Sequence, residues 1–224
     1  MTASDPDFDE LVAPLREDNV SGATELSQTA AEVLRRAAIR VQAGSVAELR
    51  WGLGQVCAKI LDAQPSMAPM VTLVRGVLDA VEPEESVEDG RLAAADAAEA
   101  FRAGFETRVR AVVETARALL PPAGMVGTIS ASGSVRELLA SEAPRRRCRV
   151  LCFESRPMQE GRSLAGALAE AGVSVTFAVD AAMDALVPEC DVVLLGADSV
   201  GDEGIANKIG SCALSRAAAR LGIP

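Results

Sequence analysis

The sequence predicts an α/β protein in which a helical half precedes a parallel sheet. In the first half of the 224 residues, apolar side chains recur every three to four positions, as on one face of a helix. In the second half, short apolar runs alternate with helical stretches. Pro121-Pro122-Ala123-Gly124 separates the two patterns. We therefore predict a polar lead-in over 1–22, a helical domain over 23–120 and an α/β domain over 121–224.

The helical half shows its pattern most clearly in two stretches. Apolar residues mark one helical face over 46–60, and Ser45 with Glu48 forms a capping box at its start. A second apolar stripe runs over 101–119 and predicts a long helix that leads to the proline-rich boundary.

The second half predicts four strands and the helices between them. Right-handed crossovers place the C-terminal ends of all parallel strands on one edge of the sheet, which is where open α/β sheets bind ligands. The strands are predicted at Met125–Ile129, Arg149–Phe153, Val173–Val179 and Asp191–Gly196, and the helices at Ser134–Leu139, Arg162–Ala171, Ala181–Leu186 and Lys208–Leu221.

Charge and composition exclude several classes of function. A net charge of −10 disfavours general nucleic-acid binding but allows a small phosphate ligand, which needs only a local positive site. With no histidine, five cysteines and no Cys-x-x-Cys pair, we predict no metal. A dinucleotide fingerprint and a P-loop are both missing, so no cofactor is predicted. The acidic N-terminus and the lack of a long apolar stretch favour a cytoplasmic protein without membrane contact.

The first candidate cluster follows the last predicted strand. Asp198 is expected to point into the cleft, and Asn207 lies near the predicted N-cap of the last helix. Lys208 at a helix start is unfavourable for the macrodipole, and such a cation makes better sense if an anion shares the site. A surface lysine on a capped helix is the alternative.

The second candidate cluster lies after the predicted second strand. Glu154 is followed by Arg156 and Arg162, so two guanidiniums and a helix N-terminus converge on one loop. This combination suits an anion, although a salt bridge between Glu154 and Arg156 is an alternative. Asp180 follows the third strand at the same edge.

A hydroxyl-rich turn follows the predicted first strand. Ser130, Ser132 and Ser134 could hold phosphate through hydroxyl and backbone N–H groups. Capping of the next helix by Ser134 with Glu137 is compatible with that interpretation.

At the opposite edge of the sheet, the run Arg145-Arg146-Arg147 precedes the second strand. Charge runs of this kind are usually solvated, and we expect a solvated loop.

Four segments together resemble the signature of the translation initiation factor 2B α/β/δ family, which also contains ribose-1,5-bisphosphate isomerase and methylthioribose-1-phosphate isomerase. They occur in order and with similar spacing: Glu154-Ser-Arg-Pro, Asp180, Gly196-Ala-Asp-Ser and Asn207-Lys-Ile-Gly. In the helical half, Gln64–Met70 resembles the family's Pro-Ser/Thr-Met-Ala-Pro segment. The resemblance implies a Rossmann-like second domain and assembly into oligomers.

The resemblance also implies site residues, with departures. In the family's isomerases a cysteine and an aspartate move protons; the aspartate matches Asp198, but this chain has Ser130 at the cysteine's place. An arginine expected before the ligand-binding Gly22 is Ser21 here. Family members continue past the position of Pro224 with another strand, so the resemblance implies a shortened α/β domain with an exposed edge unless a partner covers it.

Two hypotheses follow for the function. In the first, the chain is a non-catalytic initiation-factor-2B-like protein that binds a phosphorylated sugar or nucleotide, associates with related subunits or copies of itself, or does both. Ser130 and Ser21 motivate it, because an alcohol does not ordinarily exchange protons near neutral pH as a thiol does.

In the second hypothesis, the chain is a divergent phosphosugar aldose–ketose isomerase. Asp198 would act as acid or base, and Ser130 or a nearby cysteine would replace the thiol. The phosphate would be held by Arg156, Asn207 and Lys208. We favour the first hypothesis, because loss of the thiol affects the proton-transfer step itself.

Overall fold

The structure is a computed structural model that describes residues 8–18 and 21–224. The chain divides into two units, Met1–Thr107 and Arg108–Pro224. The division between the two units falls inside a long helix, before the proline-rich segment at 121–124. The domain boundary predicted at that segment stays a prediction. Among the described helices, none is long and apolar enough to cross a membrane.

The first unit is helical. Its core contains fully buried aliphatic side chains, among them Val12, Leu34, Leu53 and Ile60. The helices are α1 (Phe8–Glu17), α2 (Ala23–Arg40), α3 (Val46–Ala63), α4 (Ala68–Val81) and α5 (Val87–Ala116), the last of which continues into the second unit.

The predicted capping box begins α3. The Ser45 hydroxyl accepts a hydrogen bond from the Glu48 N–H at 3.2 Å. The Glu48 carboxylate accepts from the N–H of Gly44 at 2.7 Å, one residue before the cap. Both groups therefore satisfy backbone donors at the helix start, as a capping box does.

The lead-in predicted over 1–22 differs from the structure in its described part. Helix α1 buries Phe8, Leu11, Val12 and Leu15. The spacing of these residues is that of one helical face, and the charged residues between them made the segment look polar as a whole. Residues 1–7, 19 and 20 lie outside the described residues.

The second unit contains a parallel four-stranded sheet in the order β3-β2-β1-β4. The fold class predicted from the sequence is confirmed. The elements are β1 (Gly124–Ile129), α6 (Gly133–Glu142), β2 (Cys148–Phe153), α7 (Glu160–Glu170), β3 (Ser174–Ala178), α8 (Met183–Leu186), β4 (Val192–Val193), β5 (Ser199–Gly201), β6 (Gly204–Ala206) and α9 (Ser211–Arg220).

The fourth strand is shorter than predicted, and a hairpin follows it. Only Val192 and Val193 pair with β1, and the chain then forms the antiparallel ribbon β5–β6. Gly201 and Gly204 flank its two-residue turn, and Gly204 has a φ of +136°, which suits glycine. Together these glycines mark a short hairpin turn in the sequence.

The arginine run at the N-terminal edge is only partly solvated. Arg145 and Arg146 lie 3.4 and 3.5 Å from the carboxylate of Glu142, and Arg117 lies 3.3 Å from it. The Glu142 side chain is only 10% exposed, so its charge needs cations nearby. Arg147 is exposed, as expected.

Candidate functional site

The carboxyl ends of the four parallel strands collect the candidate residues of the second unit. Ser130 follows β1, Glu154 follows β2, and Asp198 follows β4 after a short loop. Asp180 comes two residues after the end of β3. The topology therefore places these residues at the edge where open parallel sheets bind ligands.

The turn after β1 is a tight connection to α6. Ser130 is buried and has a φ of +67°, a conformation that residues other than glycine seldom adopt. Ser132 is the N-cap of α6, and its hydroxyl accepts from the N–H of Val135 at 3.4 Å. The cap predicted at Ser134 with Glu137 is therefore wrong, because Ser134 already lies inside the helix.

The loop after β4 passes close to this turn. A Cβ on Gly196 would lie 2.8 Å from the Ser132 hydroxyl, so only glycine fits there without displacement. The close approach brings the loop that carries Asp198 beside the start of α6.

Asp180 organises the loop after β2. Its carboxylate accepts from the backbone N–H groups of Ser155 at 2.9 Å and Arg156 at 2.7 Å. Glu154 accepts from the side-chain amide of Gln159 at 3.1 Å, so its recorded partner is Gln159 and not the predicted alternative, Arg156. Both oxygens of Asp180 thus hold the loop in shape, which fixes where the chain leads into α7.

Two arginines of this region present guanidiniums at the surface. Arg156 is exposed, and Arg162 is exposed with its guanidinium carbon 5.6 Å from the centroid of the Phe177 ring. Within the described part of the chain, neither lies within ion-pair distance of a carboxylate. A cation over an aromatic face keeps its charge and its hydrogen-bond donors, so both side chains could receive an anion.

Asn207 and Lys208 lie before the last helix, which corrects the predicted start. Helix α9 begins at Ser211, and Gly210 caps it with a φ of +99°. The Asn207 amide donates to the Ser211 hydroxyl at 2.8 Å. The argument that Lys208 opposes the helix dipole therefore fails, because Lys208 lies three residues before the first helical residue.

Lys208 instead contacts Glu160, a residue that the sequence analysis did not select. The Lys208 Nζ lies against Oε1 of Glu160, the first residue of α7. The Glu160 side chain is 3% exposed and that of Lys208 is 36% exposed. No donor in residues 8–18 and 21–224 hydrogen-bonds Glu160 Oε2. A glutamate in a first helical turn suits the helix dipole, so nothing local in the sequence signalled its pairing with a distant lysine.

Asp198 is half-buried at the base of the β5–β6 hairpin. Its N–H donates to the carbonyl of Ala206 at 2.9 Å, which ties its backbone to the hairpin. Burial raises the pKa of the Asp198 carboxyl, and the nearby Lys208 ammonium offsets part of that rise. The carboxyl therefore holds a proton to higher pH than an exposed aspartate does.

Two buried cysteines of the second unit, Cys152 and Cys190, are unsuited to proton exchange. Burial raises the pKa of the Cys152 thiol to about 12 and that of Cys190 to about 11. The Cys152 Sγ also points to the carbonyl of Gly161 at 3.3 Å. Both thiols stay protonated near neutral pH. Among the described residues, no three acidic or cysteine side chains are grouped as metal ligands.

Gly22 belongs to the first unit, where it is the N-cap of α2. Its carbonyl accepts from the N–H of Leu26 at 3.1 Å, and the N–H of Ser21 donates to Asp18 at 2.8 Å. A ligand-binding role for Gly22 stays a prediction.

Comparisons with known proteins agree with this architecture. Ribose 1,5-bisphosphate isomerase of Archaeoglobus fulgidus is 27% identical over 218 residues, which are 96% of this chain and 68% of that protein. A candidate eIF-2B subunit 2-like protein of Pyrococcus horikoshii is 25% identical and covers 96% of this chain and 75% of its own length. The chain thus spans about two thirds to three quarters of these relatives.

A solved structure shares the fold. The translation initiation factor eIF-2B of Pyrococcus horikoshii OT3 superposes with a TM-score of 0.86 at 24% identity, covering 98% of this chain and 77% of that one. Residues 19–224 match the sequence profile of the Initiation factor 2 subunit family. This chain therefore belongs to the Initiation factor 2 subunit family.

Proposed function

We propose that this chain is a non-catalytic, initiation-factor-2B-like protein of the cytoplasm that binds a phosphorylated sugar or nucleotide at the carboxyl edge of its sheet and associates with copies of itself or with related subunits. The observation that carries the proposal is Ser130 in the turn after β1, where the resemblance to the isomerases implies a cysteine. This chain has the turn and the sheet edge that the resemblance implies, but the hydroxyl of Ser130 stands where the isomerases have the thiol that exchanges protons.

The chemistry at Ser130 supports a loss of catalysis. A hydroxyl has no accessible ionised form near neutral pH, and the sequence contains no histidine to activate it. Neither Cys152 nor Cys190 compensates, since burial holds their thiols in the protonated form. An aldose–ketose conversion would therefore lack the proton carrier that the resemblance implies in the turn after β1.

The cationic side chains at the edge support phosphate binding. Arg156 and Arg162 are exposed and have no carboxylate partner in the described part of the chain. Guanidiniums bind phosphate with two parallel hydrogen bonds. Arg156 lies in the segment between β2 and α7, and Arg162 lies in the first turn of α7, so both follow the carboxyl end of β2, and we infer that one phosphate contacts the two.

The hairpin supports association with another subunit. Val200 and Ile205 face each other across β5 and β6, and they are 74% and 68% exposed; Ile209 is 75% exposed. Three exposed aliphatic side chains on one short segment are typical of a contact surface. Light scattering of the purified protein tests this part: we expect a dimer or larger assembly, and a monomer at all concentrations would contradict it.

The first experiment is a thermal-shift screen with ribose 1,5-bisphosphate, methylthioribose 1-phosphate, pentose phosphates and nucleoside monophosphates. A ligand at 100 times its Kd adds about 2.7 kcal/mol to the free energy of unfolding. Binding without turnover is the expected result. Rapid isomerisation of a bound sugar phosphate would overturn the non-catalytic assignment.

The raised pKa of Asp198 favours one alternative, a divergent sugar-phosphate isomerase. A carboxyl that retains its proton to higher pH is a better general acid than an exposed one. The alternative predicts that Asp198→Asn abolishes turnover while the ligand still binds. If a measured turnover survived that substitution, this mechanism would fail.

A further inference from the structure

The ion pair between Glu160 and Lys208 lies at the carboxyl edge of the sheet and offsets part of the positive charge there. Lys208 is the cation that the family-like segment Asn207–Gly210 places beside Asp198. Its ammonium is engaged by Glu160, whose side chain is almost completely buried. Burial raises the pKa of the half-buried Asp198, and Lys208 lies close enough to offset part of that rise. One ammonium thus faces two carboxyl groups.

Lys208 cannot leave Glu160 at low cost. A buried carboxylate without its cation is strongly unfavourable, because it has lost its hydration and has nothing in exchange. Glu160 Oε2 already lacks a hydrogen-bond donor among the residues described, so Lys208 is the one cation there that adds to the favourable dipole of α7. A ligand must therefore meet Lys208 with Glu160 still attached.

Arg156 and Arg162 differ from Lys208 in this respect. Arg156 lies in the loop before α7 and Arg162 in the first turn of α7, and neither has a carboxylate partner in the described part of the chain. A phosphate dianion gains a full charge interaction from them. Near Lys208 it would meet a neutralised cation and the carboxyl of Asp198.

Resting on the function proposed above, we propose that Glu160 is a specificity-determining residue that makes the cleft select ligands with one phosphate group. The phosphate lies on Arg156 and Arg162, and the uncharged hydroxyl- or carbonyl-bearing end lies at Lys208 and Asp198. The two remaining N–H donors of the ammonium hydrogen-bond neutral oxygens there, and Glu160 excludes a second phosphate by cancelling the charge that would hold it.

The test compares ribose 5-phosphate with ribose 1,5-bisphosphate by titration calorimetry. The wild-type protein is expected to bind the monophosphate more tightly than the bisphosphate. In Glu160→Gln the ammonium is no longer neutralised, so the ratio of the bisphosphate Kd to the monophosphate Kd should fall by at least about fivefold, a change that a single charge at close range readily produces. General destabilisation would weaken both ligands alike and leave the ratio unchanged.

Two further variants sharpen the result. Glu170→Gln, at the exposed far end of α7, removes the same charge away from the cleft and should leave the ratio as in the wild type. The double variant Glu160→Gln with Lys208→Gln should not show the improved binding of the bisphosphate that Glu160→Gln alone shows, because the ammonium that Glu160 neutralised is no longer present.

The outcomes separate the two proposals. A wild-type protein that prefers the bisphosphate contradicts the inference even if no variant folds. An unchanged ratio in folded Glu160→Gln contradicts it while leaving the proposed function intact. If no phosphorylated sugar or nucleotide binds the wild type or the variants, the proposed ligand-binding function fails, and the inference fails with it.

Discussion

Glu142 and Glu160 are both buried carboxylates of the second unit, at opposite ends of the sheet, and they are compensated in different ways. Glu142 lies within 3.3 to 3.5 Å of three arginines, Arg117, Arg145 and Arg146. In the part of the chain that the structure describes, Glu160 has a single cation, Lys208. A carboxylate surrounded by several cations tolerates the loss of any one of them, whereas a carboxylate with one partner depends on it.

The difference also separates a structural cluster from a candidate site. Arg146 donates to the carbonyl of Leu120 at 3.0 Å as well as contacting Glu142, so the cluster ties the N-terminal edge of the sheet to the segment before β1. The Glu160 pair instead joins the first turn of α7 to the segment between β6 and α9, at the carboxyl edge of the sheet. Its charge balance affects what else can bind there.

The largest expected effect is that of Lys208→Met, which leaves Glu160 buried without a cation. We expect a loss of about 3 kcal/mol in the free energy of unfolding, the lower end for a broken buried pair because Lys208 is partly exposed. Urea denaturation followed by circular dichroism measures it. The double variant with Glu160→Gln should regain most of the loss; a loss below about 1 kcal/mol in the single variant would mean that Glu160 finds other compensation.

Glu142→Gln is expected to cost less, about 1 to 2 kcal/mol. The variant removes the carboxylate and leaves arginines that reach solvent, and Arg146 keeps its bond to the Leu120 carbonyl. The same denaturation experiment checks it. A cost larger than that of Lys208→Met would reverse the order that the comparison predicts.

The substitution Asp198→Asn is expected to change the stability by an intermediate amount, because Asp198 is only half-buried. The size of this change is expected to depend on pH. Its folded-state pKa is raised above the unfolded value, so the stabilisation that it gives is complete at low pH and is lost as the pH rises through the folded pKa. Asp198→Asn should therefore gain stability relative to the wild type at pH 7, and the gain should shrink towards pH 4. Thermal unfolding at several pH values measures the difference, which a pH-independent effect would contradict.

The smallest effect is expected for Arg145→Gln. The Arg145 side chain is 73% exposed, and two other arginines remain beside Glu142. Exposed ion pairs contribute little, so we expect a change below about 0.5 kcal/mol by the same urea method. A loss of 1 kcal/mol or more would show that Glu142 needs all three cations.

The sheet and its ligand edge could be predicted because they depend on local patterns. Three of the four predicted strands agree with the structure to within one residue at each end, since each is an apolar run bounded by turn residues. The short β4 and the hairpin after it were missed: the run over 191–196 looks like one strand, although only two of its residues pair with β1.

Side-chain pairings could not be predicted in the same way. The sequence selected Lys208 but not Glu160, which lies 48 positions earlier and contacts it only through the tertiary fold. The helix starts predicted from the sequence also differ from those in the structure, because residue type alone does not distinguish between neighbouring caps. Serines at 130, 132 and 134 are equally good caps by composition, and the backbone angles of the turn decide in favour of Ser132.

The unequal exposure of Glu160 and Lys208 gives sequence change at these two positions a preferred order. If Glu160 is replaced before Lys208, the remaining lysine can turn towards water. If Lys208 is replaced before Glu160, a carboxylate is left in the interior without a cation. Relatives with lysine but no acidic partner should therefore be common, and relatives with the buried acid but no cation should be rare. An alignment of the family should then show that the acidic residue is lost before the lysine and not the reverse.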